Sequence, residues 1–480
     1  MTAITDLDAT ALSEALATGR LSSVEVMTAF LDRIEAANPT VNAIVSLRER
    51  DALIAEAAAA DRSPRKGWLH GIPVAIKDLV ETAGIRTTHG SPIFADNIPT
   101  ADDVLAARIR AAGAILIGKT NASEFGLGSH SYNRVFGVTR NPYNPAKSAG
   151  GSSGGAGAAL ASRMVPVADG SDMMGSLRNP AAFNNVYGFR PTYGLVSADP
   201  VGELFLHQLS TDGPMARSVH DLARLLDTVA GPHPQVPHSL PRVAPFANRL
   251  DGSIAGKRIG WLGDWAGHYP VDPEILTLGR AAVGVFEELG CAVEEIVPDF
   301  DPTTLWSSWL TLRSFAVSSS LGVHYDNPAQ RDLLKPEAIF ETETGRARSA
   351  DDIRRASLMR SQWYATLARL FERYDALVLP SAQVFPFDAD MTWPKSVCGR
   401  SMSTYHQWME IVVPVSLVGV PALGLPAGFG SSGLPAGIQL FGPKHADAAI
   451  LQLGEAYHRA TDWPGKRPPQ LVPSREPSGL

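Results

Sequence analysis

Along the first third of the chain the spacing of apolar positions changes twice, and the changes mark out the elements. Gly19 closes a first helix, and Ser22-Ser23-Val24-Glu25 then has the spacing of a capping box. Val24, Met27, Leu31 and Ile34 follow on one helical face, so residues 1–65 read as an amphipathic helical layer packed on a sheet. From Gly71 the run GIPVAIKDLV is apolar without alternation, as expected of a strand covered on both faces, and Lys77 stands at its end. Asp102 then caps a helix whose face includes Leu105, Ile109 and Ala112; Gly113 ends it, and AILIGKT follows as strand and turn.

Further along, AGAALA reads as a helix start and RMVPVA as a buried strand. A helix is entered around Ser218, and five prolines between Pro232 and Pro245 mark a loop or a boundary between lobes. The segment from KRIGWL to EELGCAVEEI has a strand, helix, strand rhythm of α/β type. Asp301 to His406 departs from it. Trp306, Trp309, Trp363 and Trp393, with Trp408 just beyond, suit either a pocket lining or a packed helical cap, and the strand DALVLPS interrupts the segment near Val378. Ile411 to Gly430 carries no charge over a span's length, but Pro414, Pro421 and Pro426 break it into a short helix and a buried strand ending near Pro426. The tail RPPQLVPSREPSGL is expected to be extended on the surface.

Composition narrows the function classes. A net charge of -7 over 480 residues, without a long run of one sign, leaves no electrostatic footprint for nucleic acid or anionic membrane. Cys291 and Cys398 are too far apart for a CxxC or metal-ligand pattern. The start, MTAITDLDATALSEAL, has no basic or long apolar signal region, so a cytoplasmic location is expected.

The candidate chemistry lies in KSAGGSSGGAGAALASRMVPVADGSDMMGSLRNPAA, residues 147–182, where two glycine clusters each carry a serine. Glycine-flanked hydroxyls suit tight turns at which backbone N–H groups converge on a ligand oxygen. Composition alone also allows a flexible linker, but packed structure follows too promptly. Gly113, Gly118, Lys119 and Thr120 match the phosphate-loop pattern in an inverted context, with a helix before the first glycine and a strand between the two. GGSSGG matches GxSxG through Ser152 or Ser153, yet the preceding NPYNPAKSA has the prolines and turn residues of a loop, whereas a nucleophile elbow leaves a strand.

Taken together, HGIPVAIKDLVETAGIRTTHGS, AGAILIGKTNASEFGLGS, TRNPYNP with GGSSGGAGAALA, GSDMMGSLRNPAAFNNVYGFRPTYG, DGPMARS and GVPALGLPAGFGSSGLPAGIQLFGP resemble, in this order, the amidase signature family. The resemblance implies an α/β fold with a large mixed central β-sheet covered by helices on both faces, formed by one domain, 1–480. Within it, 1–65 would be the helical layer, 66–245 a catalytic core, and 246–480 a second half with an aromatic-rich insert, 300–408, and closing strands, 370–445. It also implies a Ser, cis-Ser, Lys triad: Ser176 as nucleophile, Ser152 as the bridging serine and Lys77 as base. The 24-residue spacing between the two serines agrees with the family pattern, so the resemblance implies Ser152 rather than Ser153, which becomes a supporting partner.

Serine attacks only when a base takes its proton, and a lysine does so only when neutral, a state that burial after GIPVAI would favour. Backbone N–H groups of Met173, Met174, Gly175 and Ser176 would hold the developing negative charge, and Asp172 and Arg178 would fix that turn as an ion pair. No metal or organic cofactor is required. The implied partner is a small-molecule amide, with no nucleic acid and no membrane, and a homodimer is compatible with the sequence. A second reading is the amidase-like glutaminase component of a tRNA-dependent amidotransferase. Family members commonly have DTGGS where this chain has Asp172-Met173-Met174-Gly175-Ser176. A positive φ at 174 would strain methionine, and two methionines at the pocket floor would make it narrower and more apolar, favouring a bulky or aliphatic acyl group.

Overall fold

A computed structural model describes residues 3–471. The part of the tail from Val472 to Leu480, expected to be extended, lies outside the described residues. The eight-stranded sheet runs in the spatial order Ala292–Glu295, Arg258–Trp261, Ala376–Pro380, Pro435–Phe441, Ala422–Phe429, Tyr187–Arg190, Thr211–Ala216 and Val167–Asp172. It is mixed: Arg258–Trp261 is parallel to both of its neighbours, while every other pairing is antiparallel. Along Ala376–Pro380 the side chains divide by the period of two. Ala376 and Val378 join one apolar cluster and Leu377 and Leu379 another, so both faces are covered. Helices Val219–Val229, Pro273–Glu288 and Asp447–Thr461 pack on the first face, and Pro302–Asp326 and Ala350–Phe371 on the second.

Lys77 does not come from that sheet. Pro73–Lys77 is an edge of a separate three-stranded sheet, parallel to Ile115–Thr120, which pairs in turn with Ile44–Val45. Every residue of Pro73–Lys77 is buried, as its unalternating pattern requires. Gly118, Lys119 and Thr120 lie within the Ile115–Thr120 strand, so they form no phosphate loop. The capping box at Ser22 and Glu25 is present with both hydrogen bonds.

Several boundaries differ from the sequence reading. Asp103, rather than Asp102, precedes the Val104–Ala111 helix; the Asp102 carboxylate accepts from the Ala83 N–H and pairs with Arg110. Asn144–Ser148 is a short strand despite its proline: Asn144 and Ser148 pair with Asn141 and Arg140, Lys147 bridges Asp388 on the other side, and Pro145 falls in neither pairing, so its missing N–H costs no ladder bond. The buried strand read in RMVPVA starts only at Val167, and the one read to end near Pro426 continues past a bulge to Phe429. The tryptophan-rich insert is a helical cap. Trp309, Trp363 and Trp408 are fully buried in its core, while Trp306 leans on His406, and no tryptophan among the described residues lines the cavity over the serines.

Candidate active site

The Lys77 side chain is fully buried and its ammonium donates to three serine hydroxyls: Ser152 Oγ at 2.9 Å, Ser153 Oγ at 2.8 Å and Ser171 Oγ at 2.8 Å. Burial pulls its pKa down from 10.5 to about 8, with nearby Asp169, Asp212 and Asp172 opposing a larger fall. Its main-chain N–H donates to Asp169 Oδ1 at 2.9 Å, which ties the strand end to Val167–Asp172.

Ser152 and Ser153 sit in the turn between the Asn144–Ser148 strand and the Gly154–Ala161 helix, and the Gly151–Ser152 peptide is cis, as the resemblance implies. Glycine is needed here for close approach. A Cβ at Gly151 would lie 2.7 Å from the His130 nitrogen, and one at Gly155 only 2.4 Å from the Asn121 main chain. The Ser131 hydroxyl donates to the Ser152 carbonyl at 3.1 Å and accepts from the Gly154 N–H at 2.9 Å, so the turn is held from both sides.

Ser176 follows the strand that ends at Asp172, whose carboxylate organises the intervening turn. Asp172 and Arg178 are wholly buried and joined by two hydrogen bonds of 2.9 Å, from Nε and Nη2. Arg190, also buried, donates to the Asp172 main-chain oxygen and lies 3.3 Å from Oδ1. Burial alone would raise the Asp172 pKa, but the two guanidinium groups and the Gly175 N–H outweigh it and hold the carboxyl well below the usual range. Asp172 also accepts from the N–H groups of Gly175 at 2.8 Å and Leu177 at 3.2 Å. The Gly175 N–H is therefore engaged, whereas those of Met173, Met174 and Ser176 have no protein acceptor among the described residues.

The methionines separate. The left-handed position in this turn is Gly175, with φ of 81°, so Met174 meets no backbone strain. Met174 is 3% exposed and packs into the core under the helical cap, while Met173 alone of the two lines the cavity. This corrects the expectation of two methionines at the pocket floor.

Ser152, Ser171 and Ser176 share one cavity of about 170 Å³, roofed by the Pro302–Asp326 helix through Arg313, Val317 and Leu321. Arg313 is held by Glu341 at 2.8 Å and the Tyr405 hydroxyl at 2.7 Å, and its Nη1 reaches Met173 Sδ at 3.1 Å. The Ser153 N–H donates to the Ser176 carbonyl at 3.4 Å. Among the described residues no hydrogen bond joins the Ser152 and Ser176 hydroxyls; the two meet only as walls of the cavity. Sequence reasoning missed Ser171, Asp169, Arg190 and Arg313. Ser171 and Asp169 carried a usable signal, since a period of two from Asp169 puts both on one face of a predicted strand. Arg190 and Arg313 carried none, because only the fold brings them to Asp172 and Met173.

Comparison with known proteins bears on the chain as a whole. The family profile described as Amidase matches residues 25–451. An acylamidase of Rhodococcus erythropolis is 33% identical over 469 residues, covering 96% of this chain and 97% of that protein. One subunit of the glutamyl-tRNA(Gln) amidotransferase of Thermus thermophilus is 36% identical over 469 residues, covering 93% and 95%. The crystal structure of a bacterial aryl acylamidase of the amidase signature family superimposes with a TM-score of 0.89 at 28% identity, covering 96% of this chain and 99% of that one. With the fold, the buried lysine and the serine turn all in place, this chain belongs to the amidase signature family, hydrolases of carbon–nitrogen bonds other than peptide bonds.

Proposed function

We propose that this chain is a stand-alone amidase that cleaves a carboxylic amide through an acyl-enzyme on Ser176, with Ser152 and Lys77 relaying the proton. The observation that carries the reading is the 2.9 Å hydrogen bond between Lys77 Nζ and Ser152 Oγ, on the wall of a cavity that Ser176 also lines. Ser176 Oγ attacks the amide carbonyl as its proton passes to Ser152 and that of Ser152 to neutral Lys77. Collapse of the tetrahedral intermediate returns the proton along the same path to the departing amine. Water then releases the carboxylate by the reverse relay. The main-chain N–H groups of Met173, Met174 and Ser176 stabilise the oxyanion, while the Gly175 N–H keeps the turn closed through Asp172.

The acyl group that fits is compact, with an apolar body and room for a polar atom toward Arg313, Ser210 and Ser320. Leu79, Phe125, Leu127, Met173, Val317 and Leu321 line a cavity of about 170 Å³, below the volume usual for a drug-sized ligand. The enzyme works without an RNA or protein partner, as a monomer or a homodimer. Hydrolysis of a panel of acyl anilides, short aliphatic amides and cyclic amides tests this reading, with Ser176→Ala and Lys77→Ala alongside. Full activity in either variant would overturn the mechanism.

The 36% identity to a component of an amidotransferase supports a second reading, in which the amide is glutamine and the ammonia passes to a partner complex. Glutaminase activity that appears only with such a partner would decide for it. Turnover of acyl anilides by the isolated chain would decide against it.

A further inference from the structure

Asp212 stands next to the proposed base without a role in the relay. It lies on the Thr211–Ala216 strand directly opposite Ser171, in an antiparallel register that also sets Pro214 against Asp169. Directly opposed residues project to the same face with Cβ atoms about 5 Å apart. The Asp212 carboxylate is therefore on the face where Ser171 accepts from Lys77 Nζ at 2.8 Å. The next residue, Gly213, faces the other way, since a Cβ there would meet the Phe189 main chain, Leu177 and Pro191. Among the described residues no protein donor reaches the Asp212 carboxylate; the side-chain hydrogen bond at this residue goes from Thr211 to its main-chain oxygen.

A second, smaller cavity completes the setting. It measures about 90 Å³ and is lined by Tyr193, Val196, Ser210, Asp212 and His238. Ser210 also belongs to the substrate cavity, so Asp212 stands behind the reaction site at a wall common to both. The charged and titratable groups around it are Lys77 from the small sheet, Asp169 from the neighbouring strand, Asp103 and Asp199 from flanking loops, and Tyr193 and His238 lining the small cavity with it. Lys119 and Asp172 act on the same cluster through Asp169 and Lys77.

Resting on the reading of Lys77 as base, we propose that Asp212 is a positioning residue that acts across Ser171 to set the pH at which Lys77 sheds its proton. The anion favours the ammonium, and its wall position on the second cavity lets its own charge follow the medium. Burial and Asp169 push the Asp212 carboxyl up to about 7, close to the about 8 of Lys77, so the two groups titrate over one interval.

The test is the pH profile of kcat/KM for wild type, Asp212→Asn, Asp212→Ser, Asp212→Glu and Lys77→Ala, each checked by thermal melting. Removing the anion takes away a stabiliser of the ammonium, so the acid limb of Asp212→Asn and Asp212→Ser moves to lower pH by about one unit. The plateau above the limb stays within about threefold, and Asp212→Glu keeps the wild-type limb. A limb that does not move while Lys77→Ala is inactive overturns the role of Asp212 and leaves the base reading standing. A uniform fall at every pH, or insoluble protein from both uncharged variants, assigns Asp212 to the fold and equally overturns it. An active Lys77→Ala overturns the base reading and this proposal with it.

Discussion

Lys77 Nζ and Ser152 Oγ, 75 positions apart in sequence, lie 2.9 Å apart in a buried pocket of three serines, and neither belongs to the eight-stranded sheet. The lysine arrives at the end of a strand from the smaller sheet, and the serine in a turn that glycine alone can form there. A buried amine surrounded by hydroxyls can act as a base near neutral pH, where an exposed lysine could not.

Replacing the nucleophile should therefore separate chemistry from folding. Ser176→Ala is expected to lower kcat on any accepted amide by at least ~10⁴-fold while leaving the melting temperature unchanged, because the lost hydroxyl faces the cavity. Steady-state kinetics beside calorimetry checks this; a variant that keeps a tenth of the activity would place the nucleophile elsewhere.

The activity of the wild type should rise with pH along a limb near 8, where Lys77 becomes neutral. Stability has the same sign. Between the folded value of about 8 and the unfolded value of 10.5 the unfolded chain binds the extra proton, so stability increases as pH rises through this window. The shift corresponds to ~3 kcal/mol held against the buried ammonium. Lys77→Met should consequently be inactive yet more stable at neutral pH, by about 1 to 2 kcal/mol, as denaturant titration would show.

Asp172 holds two buried arginines and two N–H groups of the turn. Asp172→Asn leaves uncompensated positive charge inside the protein, a loss on the order of 3 to 5 kcal/mol. Because its folded pKa lies below the unfolded value, the stability that Asp172 contributes is present above pH ~4 and is lost as pH falls below it. Wild type should show this acid-side loss in urea titrations, and Asp172→Asn should show less of it.

The two methionines should respond differently to truncation. Met174→Ala leaves a void in a packed core and should cost about 2 to 4 kcal/mol. Met173→Ala opens the substrate cavity instead and should raise kcat/KM for bulkier acyl anilides relative to small ones with little change in melting temperature. Equal stability losses for both would contradict their placement.

Local pattern was enough for several features. The capping box at Ser22 and Glu25, the buried strand before Lys77, and the strand, helix, strand unit after Lys257 follow from side-chain period and turn chemistry, which act within a few residues. Lys77, Ser152 and Ser176 are legible through the resemblance of short motifs, in a fixed order, to the amidase signature family, and not through side-chain period or turn chemistry. Other features depend on residues distant in the chain. Gly175, rather than Met174, takes the left-handed conformation, with its N–H drawn to Asp172 and Val412 leaving little room there for a Cβ. Met174 is core and Met173 is cavity wall only because the helical cap descends on one and Arg313 reaches the other. The tryptophans, equally suited to pocket or core by composition, became core once two long helices closed over the second face of the sheet. Ser171 and Asp212 meet across a strand pairing that no local pattern specifies. Propensity and period act along the chain, whereas burial, charge and cavity shape are set by segments that meet only after folding.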